Sequence, residues 1–120
     1  MEDTVIFKDK DQTKLIGLLA EVDKKKIIIL VHGFRGSKEG KTVTRMMKEI
    51  APQGISTFRF DLFAHGASDG KFEDLTVSKA ADGIISAIVM LKQMGFEKIG
   101  IMGVSFGGIC ALIAARESKE

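Results

Sequence analysis

Residues 27–31 are five aliphatic residues in a row, and this run constrains the fold more than any other feature of the sequence. A strand that is solvated on one face alternates apolar and polar residues, whereas a strand of a parallel sheet is covered on both faces and is apolar throughout. Five residues are also far too few to cross a bilayer, which needs about 20. The run therefore predicts a buried parallel strand and gives no reason to expect a membrane partner.

An antiparallel hairpin is predicted before this strand. Residues 4–8 and 14–22 are rich in apolar side chains and are separated by a short polar stretch. Two such runs joined by a few polar residues are typical of a β-hairpin. We expect this hairpin to lie at an edge of the sheet.

Strands and helices alternate along the rest of the chain. The last predicted helix is apolar nearly all round, so we expect it to be buried. Alternation of this kind predicts an α/β fold: a mostly parallel sheet with an N-terminal antiparallel hairpin and helices on both faces, forming one domain over residues 1–120. The further predicted strands are residues 55–60 and 99–104, and the predicted helices are residues 43–50, 77–91 and 106–116.

Composition narrows the classes of function. The chain is 45% hydrophobic and 28% charged, as an ordinary globular protein is. Its 18 Lys and Arg against 16 Asp and Glu are too balanced to favour nucleic-acid binding. The lone cysteine, Cys110, lies in an apolar stretch and is expected to be buried. No basic segment followed by an apolar run stands at the N-terminus, so a cytoplasmic location is predicted.

Residues 103–107 read Gly-Val-Ser-Phe-Gly and match the G-x-S-x-G pattern of a nucleophile elbow. In such an elbow a sharp strand-to-helix turn holds the serine in a strained conformation with its hydroxyl exposed. Gly103 and Gly107 are needed because neighbouring backbones approach too closely for a Cβ. A glycine-rich turn with an incidental serine would also match the pattern. Because this match lies between a predicted strand and a predicted helix, we interpret Ser105 as the catalytic nucleophile.

A second glycine-containing loop, residues 31–36, follows the first buried strand. Acyl transfer needs two backbone N–H donors directed at the developing oxyanion, and a loop at the carboxyl end of a strand can supply one. We assign the two donors to the amides of Phe34 and Phe106, with Gly33 supporting the loop. Without the elbow this segment would be read as a plain strand-ending turn.

Three polar residues end or follow neighbouring strands. His32 is predicted to brace the oxyanion loop by hydrogen bonding, because it precedes the serine in the chain and ends a neighbouring strand. Asp61 and His65 follow the second parallel strand, where polar side chains commonly bind loop backbone. We interpret all three residues as support for the site. A direct catalytic role for Asp61 or His65 is the less favoured alternative.

These motifs resemble those of the α/β-hydrolase superfamily: His-Gly-Phe at 32–34, then the stretch 61–74, then Gly-Val-Ser-Phe-Gly-Gly at 103–108. Within it they are similar to the serine esterases of the cinnamoyl (feruloyl) esterase and monoacylglycerol-lipase-like group. The resemblance covers nearly the whole chain. It implies hydrolysis of a small-molecule carboxylic ester through an acyl-serine intermediate, with no metal and no organic cofactor.

The sequence departs from this group at three positions around the motifs. Ala64 stands where the group usually has glycine, and Val104 and Phe106 flank the serine where histidine and glutamine are common. A bulky aromatic residue after the serine also occurs in peptidase relatives. A peptidase or an acyltransferase on the same scaffold is therefore an open alternative to the esterase.

A larger departure concerns the catalytic triad. In this superfamily the acidic residue and the histidine follow the serine, but here both histidines precede Ser105, and the carboxylates after it are Glu117 and Glu120. The resemblance thus implies that residues 1–120 are the N-terminal part of a hydrolase domain without its later strands, lid and triad partners. A non-catalytic relic or interaction module is the alternative from another class.

An interrupted domain of this kind is expected to have a partner. In the superfamily's sheet the elbow strand is central, and its far side would pair with a strand that comes after residue 120. An apolar, unblocked strand edge is a template for pairing with another chain. We therefore expect self-association through the edge of residues 99–104, or pairing with a separate C-terminal portion.

Overall fold

A computed structural model describes residues 2–118, so Glu120 lies outside the described residues. Five strands form one sheet in the order β1-β2-β4-β3-β5. The described part also contains three α-helices, of which the last follows the final strand, and two short 3₁₀ turns, Ala51–Gln53 and Phe72–Asp74. The strands are β1 (Asp3–Lys8), β2 (Lys14–Ala20), β3 (Lys26–Val31), β4 (Ser56–Phe60) and β5 (Lys98–Gly103), and the helices are α1 (Lys41–Ile50), α2 (Val77–Gln93) and α3 (Phe106–Glu117).

The sheet is mixed, and its parallel part carries the predicted site. β1 and β2 form the predicted antiparallel hairpin at one edge, and β2 also pairs antiparallel with β4. β3 lies between β4 and β5 and is parallel to both, with Ile29 opposite Phe58 and Ile101. The carboxyl ends of these three strands meet at one edge of the sheet. The predicted fold class is confirmed.

Both faces of β3 are covered, which explains its continuous apolar run. Ile27, Ile29 and Val31 belong to one buried cluster with side chains of α2 and α3. Leu30 points to the opposite face because successive side chains of a strand alternate. Leu30 is fully buried and lies outside that cluster, as does Val43 of α1. Helices on both faces therefore bury the two sides of the strand.

Helix α3 differs from its prediction. Cys110 and Ala114 are buried as expected, but Leu112 is 73% exposed and Ile109 is 54% exposed. Only the stripe of α3 that faces the sheet and α2 is covered, because a helix presents its side chains in all directions and its neighbours here occupy one side. The expectation of burial all round is wrong.

The edge of β5 has no strand partner beyond β3 among residues 2–118. Side chains along β5 alternate between exposed and half-buried instead of being buried. An open groove of about 420 Å³ runs between β5 and α3 and is apolar. Its walls include Ile99, Ile101 and Leu112.

Candidate active site

Ser105 stands at the sharp turn between β5 and α3. Its backbone has φ 54° and ψ −116°, a left-handed conformation that costs a residue with a Cβ about 1–3 kcal/mol. Two short hydrogen bonds close the turn: Gly107 N–H donates to Val104 C=O and Gly108 N–H donates to Ser105 C=O, each at 2.9 Å. Ser105 is exposed in this turn. The geometry is that of a serine held out from the carboxyl edge of the sheet.

The two glycines of the motif lie where backbone meets backbone. A Cβ on Gly103 would stand 2.5 Å from the amide nitrogen of Gly108. A Cβ on Gly107 would stand 2.6 Å from the carbonyl oxygen of Val31 and closer still to that of His32. Helix α3 therefore begins in contact with the end of β3, and only glycine permits that approach.

The β3–α1 loop, residues 32–40, lies against this elbow. A Cβ on Gly33 would be 3.2 Å from the carbonyl oxygen of Val104 and 3.8 Å from the Cβ of Ser105. The rings of Phe34 and Phe106 pack edge to face with centroids 5.6 Å apart. The side chains of the two residues assigned as oxyanion donors are thus in contact, beside the turn that carries the serine.

Each of the two histidines bridges the β3–α1 loop and the β4–α2 loop, residues 61–76. His32 Nε2 accepts a hydrogen bond from Leu62 N–H at 3.0 Å, and His65 Nε2 accepts one from Arg35 N–H at 3.0 Å. The Nδ1 atoms donate to the carbonyl oxygens of Gly33 and Phe63, at 2.7 and 2.9 Å. The imidazole of each loop therefore binds the backbone of the other loop.

These partners fix the tautomer of both rings. A carbonyl oxygen can only accept and an amide N–H can only donate, so Nδ1 carries the hydrogen and Nε2 carries the lone pair. Burial lowers the pKa of His32, which keeps that imidazole neutral at physiological pH. All four ring nitrogens are occupied by backbone groups. Neither ring presents a free nitrogen to the hydroxyl of Ser105.

Asp61 is completely buried between the same two loops. Its carboxylate accepts hydrogen bonds from Lys38 N–H at 2.7 Å, from the Lys38 ammonium at 2.6 Å and from Ala67 N–H at 2.9 Å. A Cβ on Gly66 would collide with this carboxylate. Asp61 is thus engaged with loop backbone, which is the kind of contact that its sequence context predicts.

Ala64 shows what the departure from glycine costs locally. Its φ is 63°, a left-handed conformation that glycine adopts freely and alanine does not. The β4–α2 loop keeps this shape because Ala64 N–H donates to Asp69 C=O at 2.9 Å and His65 N–H donates to Leu62 C=O at 2.9 Å. The position therefore favours the glycine that the resemblance would place there.

Two residues near the carboxyl ends of the parallel strands could not be identified as part of the site from the sequence. Lys38 looks like one of many lysines, and its contact with Asp61 joins residues that are far apart in the chain. Phe72 lies in a short 3₁₀ turn, is 46% exposed, and packs against Phe34, which is 52% exposed, with ring centroids 5.4 Å apart. An exposed aromatic surface therefore adjoins the elbow.

Other features of the described part bear on cofactors and membranes. No three side chains of His, Cys, Asp or Glu within residues 2–118 lie close enough to hold a metal ion. No helix in that part has both the length and the apolar character that a bilayer crossing requires.

The fold and the elbow define the class of protein. Residues 26–120 match the family model described as the alpha/beta hydrolase fold. The chain therefore belongs to the α/β-hydrolase family, and the resemblance seen in its motifs is confirmed.

Esterases are among the solved structures that are similar to this chain. The ferulic-acid-bound Est1E of Butyrivibrio proteoclasticus is 32% identical, with a TM-score of 0.85 over 92% of this chain and 47% of that one. The Pyrococcus furiosus esterase Pf2001 is 26% identical, with a TM-score of 0.92 over 100% of this chain and 48% of that one. The α/β hydrolase GrgF from Penicillium sp. is 26% identical, with a TM-score of 0.91 over 99% and 43%.

The chain spans less than half the length of these solved structures. A comparison with proteins of curated function finds no significant match. The family and the esterase neighbours support hydrolase function at the level of class.

Proposed function

We propose that this chain carries the nucleophile and the oxyanion-binding loop of a serine hydrolase that acts on small-molecule carboxylic esters. The observation that carries the proposal is the exposed Ser105 in a left-handed strand-to-helix turn, flanked by glycines that no other residue could replace without a backbone collision. That combination is the elbow geometry of acyl-transferring hydrolases. The esterase neighbours favour esters over other acyl compounds.

In the proposed reaction the hydroxyl of Ser105 attacks the ester carbonyl and forms a tetrahedral intermediate. The amides of Phe34 and Phe106 donate to its oxyanion. Phe106 directly follows Ser105, and Gly33, directly before Phe34, lies against the elbow, which supports that assignment. Collapse expels the alcohol and leaves an acyl-serine, which water then hydrolyses to the acid. A histidine base takes the serine proton and returns it to the leaving alcohol.

That base is not among the residues described. Because His32 and His65 use their ring nitrogens to bind loop backbone, we propose that the triad histidine and its acidic partner belong to a further portion of the same domain. Residues 1–120 then form the N-terminal part of that domain. The esterases that match this chain are about twice as long, which agrees with such an arrangement.

Ser105 should be the residue that reacts with a fluorophosphonate probe in the complete protein. The probe mimics an acyl substrate and requires an activated serine beside an oxyanion hole. Peptide mapping by mass spectrometry should find the label on Ser105, and Ser105→Ala should abolish it. Ser86→Ala, on α2 away from the elbow, serves as the matched control and should label normally. Labelling of a different serine, with none on Ser105, would refute the assignment.

We also propose that the free edge of β5 is a pairing surface, filled in residues 1–120 alone by a second copy of the chain. β5 pairs only with β3 in the described part, and apolar side chains of α3 stand exposed beside it. An unpaired apolar edge favours pairing with another strand. Pairing would also remove from water the apolar side chains that are exposed on α3 and half-buried on β5, a gain of about 25 cal/mol per Å² of apolar surface buried.

Sedimentation at micromolar concentration should therefore show a dimer or larger species of residues 1–120. Met102→Lys places a charge on β5 and should shift the distribution toward monomer. Val89→Lys, at a similarly exposed position on α2, is the control and should leave it unchanged. A stable folded monomer of the unaltered chain would contradict the proposal, and it would mean that these residues close their own sheet.

A further inference from the structure

Lys38 is bound at three points to charged side chains from the end of β4. Its N–H donates to Asp61 Oδ1 at 2.7 Å, and its ammonium donates to Asp61 Oδ2 at 2.6 Å. Its C=O accepts from Arg59 Nε at 2.7 Å. Arg59, in β4, and Asp61, directly after β4, thus fix both the backbone and the side chain of Lys38.

The burial of this cluster is unusual for three ionisable residues. Lys38 is 6% exposed, Arg59 is 4% exposed and Asp61 is fully buried. Lysine is almost never buried unless it is paired. Burial lowers the pKa of Lys38, but the hydrogen bonds to Asp61 and Glu39 and their charges outweigh it, so the pKa is raised and the ammonium stays charged.

Stability alone does not account for a buried ion pair. The cost of removing both charges from water offsets most or all of their attraction, and an apolar pair of similar volume is often at least as stable. What such a pair provides is a single arrangement of the elements that carry its members. Here those elements are the loop that holds Phe34 and the loop that follows β4.

Polar contacts with the β4–α2 loop hold the chain on both sides of Phe34. On one side the imidazole of His32 ties the start of the β3–α1 loop to Leu62 N–H. On the other side Arg35 N–H donates to His65, and Lys38 binds Asp61. Arg35 itself has φ 63°, so the turn directly after Phe34 is strained and has to be held by its surroundings.

We propose that Lys38 is a positioning residue for the oxyanion loop, which through Asp61 and Arg59 holds the Phe34 amide in the orientation that a tetrahedral intermediate requires. The proposal rests on the function proposed above. Oxyanion donors must be placed to within about 0.5 Å, and a displacement of about 1 Å can cost 10²-fold in rate. Lys38 does not touch the substrate; its effect passes through the loop backbone.

A second polar contact extends this cluster to the start of the chain. The guanidinium of Arg59 also pairs with the carboxylate of Glu2, directly before β1. The β3–α1 loop is therefore connected through Arg59 to the residue that precedes the edge strand β1. Lys38 is the member of this series that lies in the same loop as Phe34.

Amide hydrogen exchange of residues 1–120 tests the positioning role of Lys38 and does not require catalytic activity. Lys38→Met keeps the length of the stem and the backbone N–H but removes the ammonium. We expect exchange at the amides of Arg35 and Gly36 to rise about 10-fold or more, while amides in α2 keep their protection. Lys38→Arg, which retains the charge, should restore most of the protection. Lys41→Met, at a nearby exposed lysine that forms no ion pair within residues 2–118, is the matched control.

Activity of the complete enzyme provides the second measurement. Lys38→Met should lower kcat about 10- to 100-fold with KM changed by less than about 3-fold, because the oxyanion forms only in the transition state. Lys38→Arg should recover most of kcat.

Three results would overturn the inference: unchanged exchange at Arg35 and Gly36, a uniform loss of protection that includes α2, or normal kcat despite a loosened loop. Failure of the esterase proposal would appear separately, as full activity of Ser105→Ala. The exchange measurement does not depend on it.

Discussion

Residues 1–120 alone should hydrolyse a simple aryl ester about 10⁶-fold more slowly than a serine esterase with a complete triad. Ser105 stands in its elbow, but the two histidines of the chain bind loop backbone through every ring nitrogen. No imidazole of the described part is free to accept the proton of the serine hydroxyl. An oxyanion hole and substrate binding alone retain about 10³- to 10⁴-fold over water.

The measurement is a steady-state assay of the purified chain with an activated aryl ester, with Ser105→Ala as the control. We expect the two proteins to differ little. Robust turnover that Ser105→Ala abolishes would contradict the prediction, and His32→Gln and His65→Gln would then show which imidazole leaves its backbone partner to act as the base. Either outcome shows whether His32 and His65 only support the loops or whether one of them acts as the base.

Gly107→Ala should lower the free energy of unfolding by about 3 kcal/mol. The added Cβ would meet the carbonyl oxygens of Val31 and His32, which belong to β3 and to the residue directly after it. Backbone of the sheet cannot rotate aside as a side chain can, so α3 would have to move away from β3 and draw Ser105 with it. We expect the loss in urea denaturation, with an unchanged slope against denaturant.

Gly108→Ala is the matched control for that experiment. Its Cβ would be 3.4 Å from the carbonyl oxygen of Gly103, an ordinary contact, and alanine is favoured over glycine in a helix by about 1 kcal/mol. We therefore expect unchanged or slightly higher stability. Equal losses at the two adjacent glycines would show that the close approach of α3 to β3 is not what requires glycine at 107.

The parallel strands and the elbow could be predicted because their signals are local. A continuous apolar run identifies β3, and glycines at fixed spacing identify the turn around Ser105. The burial of α3 could not be predicted correctly, because the composition of a helix does not tell which of its faces have neighbours. Leu112 is as apolar as Leu91, yet one is 73% exposed and the other is fully buried.

The polar contacts between the two loops also could not be predicted from the sequence. The sequence suggested that His32, Asp61 and His65 support the site, since polar residues at strand ends commonly bind backbone. It did not show which atoms they bind. Those partners depend on how β3 and β4 lie side by side, and Lys38 meets Asp61 only after that pairing brings the two loops together.

The exchange of histidine contacts between the two loops has a consequence for evolution. A substitution at His32 leaves Leu62 N–H in the other loop without its acceptor, and a substitution at His65 does the same to Arg35 N–H. Neither position can drift while the opposite loop keeps its shape, so changes at the two should occur jointly among related sequences. Selection on one loop would therefore also constrain the sequence of the other loop, although the two lie in separate segments of the chain.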